Sequence, residues 1–327
     1  MRTALTRRAW AAALLLATAM ARPAAAYTAY VTNERDNTLS VVDLDQMKTV
    51  KTVQVGQRPR GITTTNDGSK ILVCASDDDT IQIIDTATLR IIGDLPSGPD
   101  PETFALHVSG NPLYVSNEDD NMITVIDVPA RKVLAQIPTG VEPEGMAVSP
   151  DGQTIVNTSE TTNMAHFLDF QSRKLVAAVL VDARPRVAMF KHDGSEVWVS
   201  SELGGTVSVI DPVKHVVMHK IAFEVQGLRA EAIQPVGIRF TRDDSMAFVA
   251  LGPANRVAVI DTKTYKVKKL LLVGQRVWQM AFTPDQKYLL TTNGLSNDIS
   301  VIEVDNLNVV KSIQVGRLPW GVVVSPK

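Results

Sequence analysis

The sequence predicts an all-β protein, a seven-bladed β-propeller of four-stranded antiparallel blades spanning residues 27–327. Three observations carry this. A short apolar run ending in an acidic residue recurs at Asp43, Asp85, Asp127, Asp169, Asp211, Asp261 and Glu303, at intervals of 42, 42, 42, 42, 50 and 42 residues. Each copy alternates Val-, Ile- and Thr-rich runs with turn residues, a pattern of short strands with no helical period. The last copy, "GVVVSPK", stops after one strand, whereas "AYVTN" opens on a second strand, so the two ends complete one blade. Such a clasp of one C-terminal and three N-terminal strands closes the ring without an open edge.

Residues 1–26 stand apart from this pattern. Arg2, Arg7 and Arg8 make a basic start, Ala9–Met20 an apolar run, and Ala24, Ala25 and Ala26 a small-residue cleavage site. The expectation is a signal peptide cut after Ala26 and a mature chain in the periplasm. The pair Arg7-Arg8 resembles a twin-arginine signal, but the residues after it match poorly, so the export route stays open. A lipoprotein anchor is excluded because no cysteine stands at the cleavage site.

Within a copy, "GMAVSPDGQ" reads as a strand followed by a hairpin turn in which glycine supplies the positive φ. "ITVID" follows, and its terminal aspartate can bond its own backbone two residues on and start the next turn. "KVLAQIPTG" then supplies the outer strand. The innermost strands are expected to begin near Gly61, Thr103, Gly145, Val187, Gly237, Gln279 and Gly321.

A Pro-containing frame leads into most of these strands, and its neighbours change sign from copy to copy: "RPRG" at Arg58–Gly61, "EPEG" at Glu142–Gly145. Strands of a blade alternate in direction, so all the frames fall at one mouth of the central channel. The residue after the proline position reads Arg60, Glu102, Glu144, Arg186, Val236, Trp278, Trp320 around the ring. The residue before it reads Arg58, Asp100, Glu142, Arg184, Gln234, Arg276, Leu318. The fold needs the turn and leaves the side chains free for chemistry. The expected site is therefore a pocket with a charged arc, Arg60 to Arg186, facing an aromatic wall of Trp278 and Trp320. Its candidate binding residues are Arg58, Arg60, Glu102, Glu144, Arg184, Arg186, Arg276, Trp278 and Trp320. The plainer alternative pairs Arg60 with Glu102 and Glu144 with Arg186, with the tryptophans plugging the channel. Being on loop ends, the four frame charges are expected to be replaceable without loss of folding. The single long interval places eight extra residues in "FEVQGLRAEAIQPVG", which should overhang the same mouth.

Composition narrows the remaining chemistry. Removing the four leader arginines (Arg2, Arg7, Arg8, Arg22) from 33 basic residues leaves 29 against 35 acidic ones, a mature charge of −6. That balance gives no reason to expect a nucleic-acid partner. Cys74, the only cysteine, lies in an apolar run and reads as a core filler, and no internal disulfide is available. His107, His166, His192, His215 and His219 share no metal-ligand spacing, so a copper or zinc centre is not expected. His166 stands where four of the other copies carry Thr or Ser, and the expectation is a buried, hydrogen-bonded core residue rather than one pointing into the channel. No GxSxG elbow and no glycine-rich phosphate loop occurs. Carboxylate-rich loops leave room for Ca²⁺, without an EF-hand pattern. No later segment is long and apolar enough to be a membrane span, and the mature chain is expected to be a monomer.

The stretch "YVTNERDNTLSVVD" resembles the signature of the YVTN-repeat propellers, exported seven-bladed bacterial proteins. Four further stretches, "LPSGPDPETFALH", "NTSETTNMAHF", "LGPANRVAVIDTKTY" and "VGQRVWQ", are similar to the subgroup associated with PQQ-dependent alcohol catabolism and encoded beside a transport system. The resemblance implies a periplasmic accessory whose partners are a quinoprotein dehydrogenase, a cytochrome or an ABC-type transport component. PQQ would then enter only through a partner enzyme. The chain is not the dehydrogenase of that resemblance, which has eight blades with a Trp motif in each; here only Trp198, Trp278 and Trp320 follow the leader.

Three functions remain open from the sequence. The first is a non-catalytic binding or scaffold propeller presenting its channel face to a partner or small ligand. The second is a lactonase-like hydrolase using channel-mouth carboxylates such as Glu102 and Glu144 with a metal. The third is a cell-envelope interaction protein without a small ligand.

Overall fold

A computed structural model describes residues 27–326. The leader assigned to residues 1–26 lies outside them. The described residues form seven four-stranded antiparallel sheets. In six, four consecutive strands follow one another from the channel outward, as in Pro143–Val148, Thr154–Ser159, Met164–Asp169 and Lys174–Leu180. The seventh pairs the C-terminal strand Pro319–Pro326 with Tyr27–Asn33, followed by Thr38–Asp43 and Lys48–Gln54. This is the expected clasp. Pro319–Pro326 also packs against Pro59–Thr64, so the inner strands contact one another around a complete circle. No helix among the described residues is long and apolar enough to cross a membrane.

The core lies between blades. Trp198, Val207, Val209 and Ile221 of one blade pack against Ile238, Phe240, Ala247 and Val249 of the next, and six further clusters repeat this arrangement. Because each apolar sheet face is completed by its neighbour, stability is shared around the ring. The repeated aspartates start the next turn: Asp43, Asp211 and Asp261 accept the expected backbone N–H two residues on, at 2.9–3.2 Å, and Asp85, Asp127 and Asp169 instead accept one three residues on, at 2.7–2.9 Å. Gly152 of "PDG" has φ 74°, the left-handed conformation that glycine adopts without steric cost. Cys74 is fully buried among Leu72, Ile81 and Leu95, as its apolar surroundings indicated.

Most inner strands start two residues before the expected positions. Pro59, Pro101, Pro143 and Pro185 already pair with the second strand, and the register then slips at the next two residues. The frame is thus a β-bulge within the sheet rather than a loop outside it. A bulge bends its strand and re-aims the side chains it carries. This correction decides how deeply the charged frame sits.

Candidate functional site

The geometry of the channel mouth begins with backbone. The residue before the proline position of the frame, which is Val277 in one copy, is left-handed in six of seven copies: Arg58, Asp100, Glu142, Arg184, Arg276 and Leu318, with φ between 47° and 58°. Such a conformation needs an external restraint in a residue with a Cβ. One comes from the preceding blade. Asn37, Asn121, Asn163, Asn255 and Asn297 accept the backbone N–H of Arg58, Glu142, Arg184, Arg276 and Leu318 at 2.8–3.0 Å, and Asp79 does so for Asp100. The remaining copy has Gly205 in place of the asparagine, and there Gln234 ends the eight-residue insertion. A second restraint holds the residue after the proline. Hydroxyls of Thr32, Thr158, Ser200 and Thr292 donate to the carbonyls of Arg60, Arg186, Val236 and Trp320 at 2.6–2.9 Å.

The side chains so placed form a layer of ion pairs across the mouth. Arg58 reaches Asp100 at 2.5 Å and Glu102 at 2.7 Å, and Arg60 also bonds Glu102. Arg186 meets Glu144 at 2.9 Å, Glu202 at 3.6 Å and, more closely, Glu160. Arg184 bridges Glu160 at 2.8 Å and Glu202 at 3.1 Å, and Arg276 bonds Glu202 at 2.7 Å and Gln234 at 2.6 Å. The pairings Arg60–Glu102 and Glu144–Arg186 therefore form, but not as exposed rim contacts: Glu102, Glu144 and Arg186 are buried. The expected place of these charges on loop ends is therefore corrected: the bulge carries Glu102, Glu144 and Arg186 into a buried layer.

Glu160 and Glu202 were missed by following the prolines alone. They occupy a third ring, the position nine residues before each repeated acidic residue and just past the second strand, which reads Glu34, Ser76, Glu118, Glu160, Glu202, Gly252 and Gly294. Their backbone N–H groups bond the frame carbonyls within a blade, as Glu160 does to Glu142 and Glu202 to Arg184, both at 2.8 Å.

More acids than arginines meet in this layer, and their proton affinities follow. Burial, reinforced by Glu102 and Glu160, pushes Glu118 up to about 8. Burial and Glu102 raise Asp100 to about 6 against the pull of Arg58. Burial also lifts Glu144 well above the usual carboxylate range, since Glu102 and Glu160 offset Arg186. For Glu102 burial acts upward too, but Arg60 and Arg58 outweigh it and hold its carboxyl low.

An open pocket of about 420 Å³ sits on this layer. Arg58, Arg60, Arg184, Arg186 and Arg276 line it with Glu118, Glu202, Gln234, Leu203 and Trp278. Six of the nine candidate residues are thus brought to one pocket. Glu102 and Glu144 lie beneath it as counter-charges, and Trp320 is buried, with the Arg60 guanidinium 5.8 Å above its ring. Of the expected aromatic wall only Trp278 faces the pocket, stacked by Arg276 at 4.2 Å and Arg186 at 5.7 Å. The inserted segment tucks Phe223, Val225 and Ile233 into the neighbouring core and delivers Gln234 to the pocket. Leu203 and Leu295, on loops of this face, are 65% and 63% exposed.

Two acidic groups have the ligand spacing for a cation, Asp100 with Glu102 and Glu118, and Glu118 with Glu142 and Glu160, their oxygens within 4.8 Å of one another. Glu102 and Glu160 already serve arginines there. Among the described residues no histidine joins such a group. His166 is buried but not hydrogen-bonded as expected: neither ring nitrogen has a hydrogen-bond partner among the described residues, and burial lowers its proton affinity.

Comparisons with known proteins agree on the fold. The profile of the choice-of-anchor I domain matches residues 126–313, more than half of the chain. No functionally curated protein matches the sequence. Among solved structures, a functionally unknown protein of Desulfotomaculum acetoxidans superposes with a TM-score of 0.79 at 16% identity, over 92% of this chain and 99% of that one. A protein of Bacteroides uniformis, described provisionally as a 6-phosphogluconolactonase, gives 0.77 at 16% identity over the same shares. Kuenenia stuttgartiensis hydrazine synthase gives 0.72 at 18%, covering 82% of this chain and 95% of that one. At these identities the likeness is one of fold, and the named activities differ from one another.

Proposed function

The chain belongs to the choice-of-anchor I domain family, and on that premise we propose that it is an exported, non-catalytic binding propeller serving quinoprotein alcohol oxidation. It would present its arginine-lined mouth to a partner protein or small ligand. A choice-of-anchor domain is a mark of a secreted or surface protein; the periplasm, and the setting of PQQ-dependent catabolism, rest on the sequence resemblance. The observation that carries the binding role is the pocket itself: five arginines and one tryptophan converge on a mouth whose backbone is fixed blade by blade. The ionised groups engage one another, which sets shape and charge in advance of binding and lowers the ordering cost of recognition. The exposed Leu203 and Leu295 beside these charges suit an apolar anchor within a polar rim. A dehydrogenase, a cytochrome or an ABC-type transport component are the partners the resemblance supplies.

The test is affinity capture from periplasm of cells grown on an alcohol. Wild type is compared with Leu203→Asp/Leu295→Asp, whose side chains are exposed on this face and belong to no ion pair. Capture of a dehydrogenase, cytochrome or transport component by wild type alone supports the proposal. Equal capture by both proteins would move the interaction to the blade edges.

A second reading, a metal-assisted lactonase-like hydrolase, is favoured by the carboxylate spacing of Glu118, Glu142 and Glu160 alone. It predicts EDTA-sensitive lactone hydrolysis that Glu118→Gln abolishes. It also predicts proton release when Ca²⁺ is titrated in near pH 7, because a cation would displace the proton Glu118 holds.

A further inference from the structure

Beneath the ion-pair layer the channel changes character. Its first section is a cavity of about 210 Å³, walled by Ile62, Phe104, Leu106, Met146, Met189 and Val322. It continues into an outer section of about 470 Å³ that shares Ile62, Met189 and Val322 and carries His192 and Arg242. Arg239 lines both. In the short inner strand Ile238–Phe240, the residues on either side of Arg239 are buried in the inter-blade core, so strand alternation turns Arg239 to the channel. The other inner strands carry Thr63, Ala105, Ala147, Met189, Ala281 and Val323 at this position.

Among the described residues Arg239 has no acidic neighbour. No residue lining either section is an aspartate or glutamate. Its guanidinium Nη1 donates to Ile238 O at 2.7 Å, and burial alone, opposed by no carboxylate, lowers its proton affinity to about 10. Every arginine of the mouth layer, by contrast, has a carboxylate within 3.1 Å. An unpaired cation among apolar walls is costly unless something compensates it.

We propose that the channel is a second binding site, distinct from the charged mouth, and that it takes a small monocarboxylate with an apolar body, held by Arg239. The guanidinium fork matches a carboxylate bidentately, while the walls cover hydrocarbon or an aromatic ring. In the upper section Arg239 is the one lining cation, and one cation favours a monoanion over a phosphate dianion. The upper section holds the volume of about seven waters at roughly 30 Å³ each, the scale of one small organic acid. The site does not depend on the function proposed for the mouth.

Benzoate is the probe, with benzamide as its neutral isostere and chloride and phosphate as inorganic competitors. Calorimetry and melting temperature are read on the mature protein, on Arg239→Met and on Arg239→Gln. The expected result is that benzoate binds wild type and raises its melting temperature, whereas benzamide does neither. Each variant should fold, melt no lower than wild type, and bind benzoate at least tenfold more weakly; Arg239→Gln serves if Arg239→Met does not fold. The proposal is overturned if wild type shows no benzoate binding or if benzamide binds equally. It is also overturned if chloride or phosphate displaces benzoate at equal affinity, or if a folded Arg239 variant binds as wild type does.

Discussion

Arg186 shows how far the fate of one side chain here is tied to its neighbours. It is buried against Glu144, Glu160 and Glu202, so its removal would leave three carboxylates facing one another in a poorly solvated layer. Breaking a buried pair from one side costs about 3–5 kcal/mol. Arg186→Met should lower the urea midpoint accordingly, and adding Glu144→Leu should recover part of the loss; a midpoint equal to wild type would mean the layer is hydrated. Glu118 gives a prediction in pH. Its ordinary value is about 4.3, and in the folded protein it rises to about 8. Between these values the folded form holds the proton more tightly than the unfolded form. Stability from this group is therefore greatest at the acid end and declines as pH rises toward 8. Asp100, raised to about 6, adds to the lower part of that window. Glu118→Gln should narrow the difference in melting temperature between pH 5.5 and pH 8, and an unchanged difference would contradict the assignment.

At the level of the blade, an asparagine in the loop after the second strand fixes the frame of the next blade in five of the seven copies. Asn163 has φ 56° and accepts the Arg184 N–H at 3.0 Å. Asn163→Gly keeps the conformation and loses the bond, whereas Asn163→Ala loses both. A loss of about 1 kcal/mol for glycine is expected from the hydrogen bond, with a further 1–2 kcal/mol for alanine from the left-handed backbone. Equal melting temperatures for the two variants would remove the conformational part of this account. The strand order, the clasp and the aspartate turns were legible from the 42-residue spacing, because period and turn chemistry are local properties. The bulge was not, since "PRG" and "PEG" look the same inside a strand as before one. The depth of the charges therefore came from the structure. Glu160 and Glu202 were recoverable from the same alignment, had the residue after each second strand been followed as the prolines were. Arg239 gave a weaker signal, a lone charge among small and apolar residues at one inner-strand position.

In the whole molecule, closure joins these parts. The mouth layer spans Glu34 of the clasp blade, which faces Arg60 at 3.5 Å, through to Arg276 on the far side. Deleting residues 319–327 would remove the inner strand of one blade, leave the edge of Tyr27–Asn33 unpaired and uncover the inner strands of the two neighbouring blades. That truncation should lose cooperative unfolding and aggregate, while a folded monomer of wild-type stability would show that the clasp is dispensable. The fold was read from sequence almost entirely; the partner was not, because exposed side chains at a mouth are free of the constraints that make strands recognisable. The most direct measurement of the central claim is site-specific photo-crosslinking in the periplasm of alcohol-grown cells. A photoreactive residue replaces Leu203 on the charged face or Val133 on an outer strand, both exposed. The account predicts a discrete adduct with a dehydrogenase, cytochrome or transport component from the Leu203 position and none from Val133. Adducts only from Val133, or the same adducts from both, would contradict it.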